Sequence, residues 1–189
     1  MAFGAIGGQG SGVSRGYDVS IDASRNTYVT GYFSGTVDFD GAGSAAPLVV
    51  VGEDFFVVKY DADGNLLWVR NPGSSSSNDA GNGIAVDGSG NSYVTGYFAG
   101  TVDFDGAGSA PPLVAVIHDH FVLKYDAEGS VLWVRSPGSS SAFEQGRGIA
   151  LDEFGNSHVT GYFSGTVDFD GAGSAPPVVA LGYDHFVAK

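Results

Sequence analysis

The chain has 189 residues and a mass of 19.3 kDa, with 21 acidic residues, 8 lysine and arginine residues and no cysteine. The net charge of −13 opposes binding to nucleic acid or anionic lipid, and the lack of cysteine excludes disulfides and thiolate metal sites. No apolar run approaches the roughly 18 residues of a membrane span, and residues 1–12 lack the basic start of a signal peptide.

The chain repeats itself with a period of 65 residues. The tetrapeptide TGYF begins at Thr30, Thr95 and Thr160, and 33 of 44 positions are identical between 81–124 and 146–189. We therefore treat residues 1–189 as a single repeat domain. Its repeats cover approximately 16–80, 81–145, and 146–189 completed by 1–15.

Within one repeat, the predicted elements are strands separated by turn residues. Gly83–Asp87 alternates and ends in a turn cluster, and Ser92–Phe98 is rich in β-branched and aromatic residues. Phe121–Tyr125 and Val131–Arg135 flank a hairpin loop at Asp126–Ser130. Since no stretch shows helical periodicity with caps, the sequence predicts an all-β protein with four antiparallel strands in each repeat.

The two ends of the chain are complementary. At a spacing of 65 residues, Phe3–Gly8 corresponds to Trp68–Gly73, which includes the fourth strand of a repeat. Lys189 corresponds to Lys59 and Lys124, the last positions before a hairpin turn. We therefore expect the N-terminal segment to supply the outer strand of the C-terminal unit.

Four-stranded sheets that recur at a fixed period are typical of β-propeller blades, with a β-trefoil as the alternative. Three blades are fewer than the usual four to eight. We therefore expect a homodimer in which two chains form a six-bladed ring. In this ring, the N-terminal strand of each chain would complete the C-terminal blade of its partner.

These motifs resemble a known family. The patterns GIAVDGSGNSYVTGYF, from Gly83 to Phe98, and DHFVLKYDAEGSVLW, from Asp119 to Trp133, are similar to the bacterial SBBP repeat, named for a seven-bladed β-propeller. The other copies follow the pattern with changes such as Arg25 where glycine is usual. The resemblance implies a propeller fold and an extracellular or surface location, generally without catalytic activity, and it implies no particular ligand.

Paired aspartates in the glycine-rich turns are candidate calcium ligands. Asp38 and Asp40 have copies at Asp103/Asp105 and Asp168/Asp170, and carboxylates two residues apart on a strand point to one side. We favour a strand that ends in an Asp–Gly turn. The Asp61–Asn65 loop is also interpreted as a hairpin turn, because its copy at Asp126–Ser130 loses two ligand types.

The candidate ligand-binding residues form three sets of equivalent positions. They are Tyr32, Tyr97 and Tyr162; Asp54, Asp119 and Asp184; and His120 and His185. The tyrosines are possible platforms for sugar rings, although packing within a sheet is the commoner role. The aspartates are expected to tie neighbouring blades together or else to form an acidic ring around the central opening. The histidines are expected at blade junctions or in solvent. No third ligand accompanies His118 and His120, so we expect no metal site and no cofactor.

A few positions depart from the repeat: Glu53, Phe143–Gln145, Arg147 and Glu153–Phe154. We expect most of them in the loops that join blades or strands, where ring proteins place their binding surfaces.

The leading functional interpretation is a non-enzymatic scaffold or binding module at a bacterial surface. Equivalent sites on near-identical blades would bind a glycan or protein ligand multivalently. A propeller hydrolase or lyase with a central acidic and histidine site is the main alternative, and its activity would be lost in His120→Ala. A designed or trimmed repeat protein without a ligand is the third possibility.

Overall fold

The computed structural model describes residues 9–41, 43, 45–72, 78–106, 108, 111–137, 142–170, 174 and 176–189. Strands occupy most of these residues, and no helix occurs among them, so the predicted all-β class is confirmed. The strands are β1 (Val13–Ile21), β2 (Thr27–Val37), β3 (Leu48–Tyr60), β4 (Leu66–Arg70), β5 (Ala80–Val86), β6 (Ser92–Val102), β7 (Leu113–Tyr125), β8 (Val131–Arg135), β9 (Phe143–Leu151), β10 (Ser157–Val167) and β11 (Val178–Ala188).

Each repeat folds into an antiparallel meander that we call a repeat sheet. The first repeat sheet contains β1 to β4, the second β5 to β8, and the third β9 to β11. A parallel bridge from His118 to Phe143 joins the second and third sheets into one seven-stranded path, and a bridge from Glu53 to Asn78 links the first sheet to the second. Contacts of β5 with both β1 and β9 bring the first strands of the three sheets together, which gives a propeller-like fold.

Hydrophobic residues between the sheets form the core. Phe55 of the first sheet packs on Phe121 of the second, with 4.9 Å between ring centroids. Phe186 of the third sheet belongs to a separate core cluster that also contains Val122 of the second sheet. Burial of these apolar faces is therefore the main force that holds neighbouring sheets together.

The TGYF motif is explained by close backbone packing. A Cβ atom at Gly31 would collide with the Arg15 carbonyl on the neighbouring strand, and one at Gly81 would collide with the Thr30 side chain of the preceding sheet. The Thr30 hydroxyl donates to the Phe56 carbonyl at 2.8 Å, which fixes its position at this junction. The TGYF glycine therefore allows close pairing within its own sheet, while the TGYF threonine packs against a glycine in the first strand of the next sheet, as Thr95 also does at Gly146.

Three side chains of the first sheet hold the β7–β8 turn of the second. Lys59 Nζ and Trp68 Nε1 both donate to the Ala127 carbonyl, at 3.0 and 3.1 Å. Arg70 Nε donates to the Gly129 carbonyl at 2.8 Å, and its Nη2 donates to that of Glu128 at 3.1 Å. We call this arrangement the turn clasp.

The predicted outer strand at Phe3–Gly8 lies outside the described residues. Gln9, the first described residue, forms a β-bridge with Asp38 of the first sheet. In the third sheet, β11 pairs with β10, and no strand pairs with its other edge within the described part of the chain. Val178, Leu181 and Val187 are exposed on this strand.

Candidate functional site

Two of the three candidate aspartates are buried at sheet junctions. Asp54 and Asp119 are only 4% and 6% exposed, and the Oδ1 atom of each has no hydrogen-bond partner among the described residues. Burial raises the pKa of both side chains to about 7, and the neighbouring carboxylates of Asp79 and Glu144 contribute in the same direction. Asp184, in the third sheet, is exposed.

His120 is fully buried between the second and third sheets. Its Nδ1 lies 2.9 Å from Glu144 Oε2, while its Nε2 has no partner among the described residues. The imidazole ring also lies 5.0 Å from the ring of Phe186. We call the contact between the first and second sheets the first junction, and that between the second and third sheets the second junction. At the first junction the residue equivalent to His120 is Phe55, and the equivalent His185 of the third sheet is exposed.

The His120–Glu144 pair resembles the orienting half of a catalytic triad, but a nucleophile is missing in the described part of the chain. Ser136 is the neighbouring hydroxyl, and its Oγ donates to the backbone carbonyl of His120 at 2.8 Å. A nucleophile–base pair would require that hydroxyl to bond the imidazole instead. His120 also borders a cavity of about 620 Å³ that Trp133 and Phe169 help to line.

The three candidate tyrosines occupy equivalent positions on β2, β6 and β10, but their exposure differs. Tyr32 is buried, whereas Tyr97 and Tyr162 are partly exposed. Their first-strand partners also differ, since Tyr32 pairs with Arg15, Tyr97 with Ala80 and Tyr162 with Gln145. The repeated tyrosine therefore has a different environment in each sheet.

Four rings form a continuous row across the second and third sheets, which we call the aromatic row. The centroid distances are 4.7 Å from Tyr97 to His118, 4.9 Å from His118 to Phe143, and 6.0 Å from Phe143 to Tyr162. Burial lowers the pKa of His118 below its usual value of 6.5, which keeps this imidazole neutral at pH 7. The row is therefore an uncharged and partly exposed surface.

Polar groups border the aromatic row at Tyr162. The Arg147 guanidinium lies over the Tyr162 ring at 5.2 Å, and its Nη2 donates to the tyrosine hydroxyl at 3.3 Å. That hydroxyl donates to Gln145 Oε1 at 2.7 Å. Tyr183 packs edge-on against Tyr162, with 5.6 Å between the ring centroids. Hydrogen bonding and ring packing thus fix the position of Tyr162.

The first sheet contributes a second aromatic pair near the same end of the inner strands. Tyr17 is half exposed and lies 5.6 Å from Tyr32. Burial and the neighbouring Tyr32 raise the pKa of Tyr17, and Arg15 lowers it. Contacts of β5 with β1 and with β9 bring the first strands of all three repeats close together.

The prediction that the divergent positions lie mostly in loops is wrong. Phe143–Gln145 and Arg147 lie on β9, and Glu53 lies on β3. Only Glu153–Phe154 falls in a turn, between β9 and β10. Strand β9 begins earlier than its sequence suggests, because pairing with β10 extends it to Phe143. Sequence reasoning singled out Phe143 and Arg147 as divergent but did not predict that both would contact Tyr162.

The acidic turns are closed by their own backbone. Asp61 Oδ1 accepts hydrogen bonds from the amides of Asp63 and Asn65, at 2.9 and 2.8 Å, and its Oδ2 accepts one from the Asn65 side chain. Asp38 accepts hydrogen bonds from the amides of Asp40 and Gly43, both at 3.1 Å. These hydrogen bonds are those expected when an aspartate closes a turn with its own backbone. No group of three metal-ligating side chains occurs among the described residues.

Comparison with known proteins supports this description. Residues 67–97 match the family model of the SBBP β-propeller repeat. An uncharacterized WD repeat-containing protein of Acanthamoeba polyphaga mimivirus is 26% identical over 186 residues, which cover 90% of this chain. The chain spans 13% of that protein's length.

The fold is propeller-like, and the resemblance to the SBBP repeat is confirmed for residues 67–97. The other repeats follow the same pattern at the 65-residue period. Among the described residues, no helix is long and apolar enough to cross a membrane.

Proposed function

We propose that the chain is a non-enzymatic β-propeller module, which acts as a scaffold or as a binding surface for a glycan or protein ligand. We further propose that it works outside the cell or at a bacterial surface. The main support for the proposal is that the side chains best suited to catalysis are packed in the interior of the protein. His120, Glu144 and Asp119 are buried between sheets, and among the described residues no nucleophilic hydroxyl bonds the His120 imidazole.

The first junction supports the same proposal. It has Phe55 and Asp79 at the positions of His120 and Glu144, and it packs without any imidazole. Asp79 Oδ1 accepts a hydrogen bond from the Ala99 amide at 2.9 Å, which gives this carboxylate a structural partner. Because one junction packs without the histidine, the histidine is better explained as one of two packing solutions than as a catalytic base.

The test is a hydrolase and lyase screen of the whole chain beside the double variant His120→Phe/Glu144→Asp. This variant gives the second junction the residues of the first, so it is expected to fold. No turnover by the parent supports the proposal. Turnover by the parent that disappears in the folded double variant would establish the enzymatic alternative and overturn it.

We also propose that two chains associate into a six-bladed ring. In this arrangement the segment Phe3–Gly8 of each copy would add an outer strand to β11 of the other, in the place that β4 and β8 occupy in their own sheets. The exposed apolar side chains of β11 support the proposal, since Leu181 and Val187 would gain partners. Light scattering on a sizing column should give twice 19.3 kDa, and a stable monomer would refute the ring.

A further inference from the structure

The side chains that surround Tyr162 lie at positions that differ in every repeat. Tyr162 contacts Phe143, Gln145, Arg147 and Tyr183. At the same positions the first repeat has Val13, Arg15, Tyr17 and Glu53, and the second has Asn78, Ala80, Asn82 and His118.

This divergence is local. All four positions differ in all three repeats, although 33 of 44 positions are identical between 81–124 and 146–189. The tyrosine itself is unchanged in every copy. The three tyrosines therefore cannot present three equivalent surfaces, even though the sheets that carry them are nearly the same.

The surroundings of Tyr97 and Tyr162 combine into one surface. The His118 ring of the second sheet packs at a tilt against the Phe143 ring of the third, so the aromatic row crosses the junction between the sheets. Arg147 extends the row as an exposed cation at its third-sheet end. The surface requires residues from two different repeats and occurs once in the described part of the chain.

The chemistry of the row suits an uncharged polyhydroxyl ligand. The partly exposed rings offer apolar surface against which the C–H groups of a pyranose ring can pack. The guanidinium of Arg147 has N–H donors beyond the one bonded to the Tyr162 hydroxyl, and Glu53, whose backbone bridges to Asn78, carries a carboxylate that offers acceptors. A sugar hydroxyl both donates and accepts, so it can satisfy groups of either kind. The net charge of −13 disfavours a strongly anionic ligand.

We propose that the aromatic row and Arg147 form a single binding site for a neutral hexose oligosaccharide, rather than one of three equivalent sites. This inference rests on the proposed binding role of the module. It assigns the ligand class, the site and a stoichiometry of one ligand per chain.

The test uses isothermal titration calorimetry of the whole chain with cellohexaose, maltohexaose and mannohexaose. Two variants, Phe143→Asn and Arg147→Asn, introduce the residues that the second repeat carries at those positions, so each is compatible with a repeat sheet. Phe154→Ala is the matched control, because Phe154 is 81% exposed in the turn at the other end of β9. Circular dichroism and the unfolding midpoint verify the fold of each variant.

We expect at least one of the three sugars to bind the parent with a stoichiometry near one. The affinity of that sugar should fall at least tenfold in Phe143→Asn and in Arg147→Asn, and it should stay within twofold of the parent in Phe154→Ala. A stoichiometry of three would overturn the single site. Unchanged affinity in both folded variants would place the site elsewhere. Absence of heat with all three sugars at millimolar concentration would refute the glycan assignment and leave a protein as the ligand class, without affecting the activity test of the non-enzymatic proposal.

Discussion

Replacing His120 by phenylalanine tests whether the buried His120–Glu144 pair is a structural unit. The substitution places an apolar ring beside Phe186, as Phe55 lies beside Phe121 at the first junction. It also leaves Glu144, which is 0% exposed, without the imidazole 2.9 Å away. Loss of one partner of a buried hydrogen bond costs about 1–3 kcal/mol. For a chain of this size, 1 kcal/mol corresponds to roughly 2–4 °C, so we expect a decrease in Tm of roughly 2–12 °C.

The assay is urea and thermal unfolding of the parent, the single variants and the double variant His120→Phe/Glu144→Asp. Tryptophan fluorescence is a suitable signal because Trp68 and Trp133 lie near the two junctions. The double variant should recover at least half of the loss, since it recreates the Phe55–Asp79 combination of the first junction. If His120→Phe unfolds within about 0.5 kcal/mol of the parent, the range of an ordinary surface substitution, the pair contributes no structural stability and the reasoning fails.

Three further predictions concern the junctions between sheets. Gly81→Ala should lower the free energy of unfolding by about 1–3 kcal/mol, because the added Cβ overpacks against the preceding sheet. Gly88→Ala is the control, since a Cβ there meets no atom within 4 Å, and it should be neutral in urea unfolding. Equal effects of the two substitutions would contradict the packing argument. Arg70→Ala removes two hydrogen bonds of the turn clasp and should cost about 1–3 kcal/mol. Arg135→Ala, which removes a hydrogen bond to the adjacent Val134 carbonyl, should change stability by less than about 0.5 kcal/mol. A similar cost at both positions would mean that a second turn docks on Arg135. Asp54→Asn should raise the free energy of unfolding at pH 8 by on the order of 2 kcal/mol. The pKa of Asp54 is about 7 in the folded chain and 3.8 in the unfolded chain, so the parent loses stability as the pH rises from about 4 to 7. A pH profile of the urea midpoint that matches the parent would refute this prediction.

Much of the fold could be predicted because local patterns coincide with the strands. The predicted strand Val131–Arg135 is β8 without change, and Gly129 has the positive φ of 81° that its turn requires. The strand at Ser92–Phe98 continues to Val102, which the sequence did not indicate. Glycine is typical of turns, yet Gly100 lies beside a β-bulge within the strand. The pairing of β6 with β7 resumes after the bulge, where Thr101 pairs with Val114. A bulge preserves pairing across an irregular residue, and local propensity does not reveal it.

The candidate site was harder to predict because its members come from different repeats. The candidate list contained Tyr97 and Tyr162 but omitted His118 and Phe143, which complete the aromatic row. Divergence from the repeat was the signal that pointed to Phe143. The list also included Asp119 and His120, which the fold buries between sheets.

The sequence by itself determined the period, the all-β class and the turns, since these depend on residue type and on spacing along one strand or hairpin. Only the tertiary structure decided which near-identical residues are buried and which are partly exposed. Asp54 and Asp184 are equivalent in sequence, yet Asp54 is 4% exposed and Asp184 is open to solvent. The physical reason is that burial at a junction depends on the neighbouring sheet, and its contacts arise between residues about 65 positions apart that no local pattern connects.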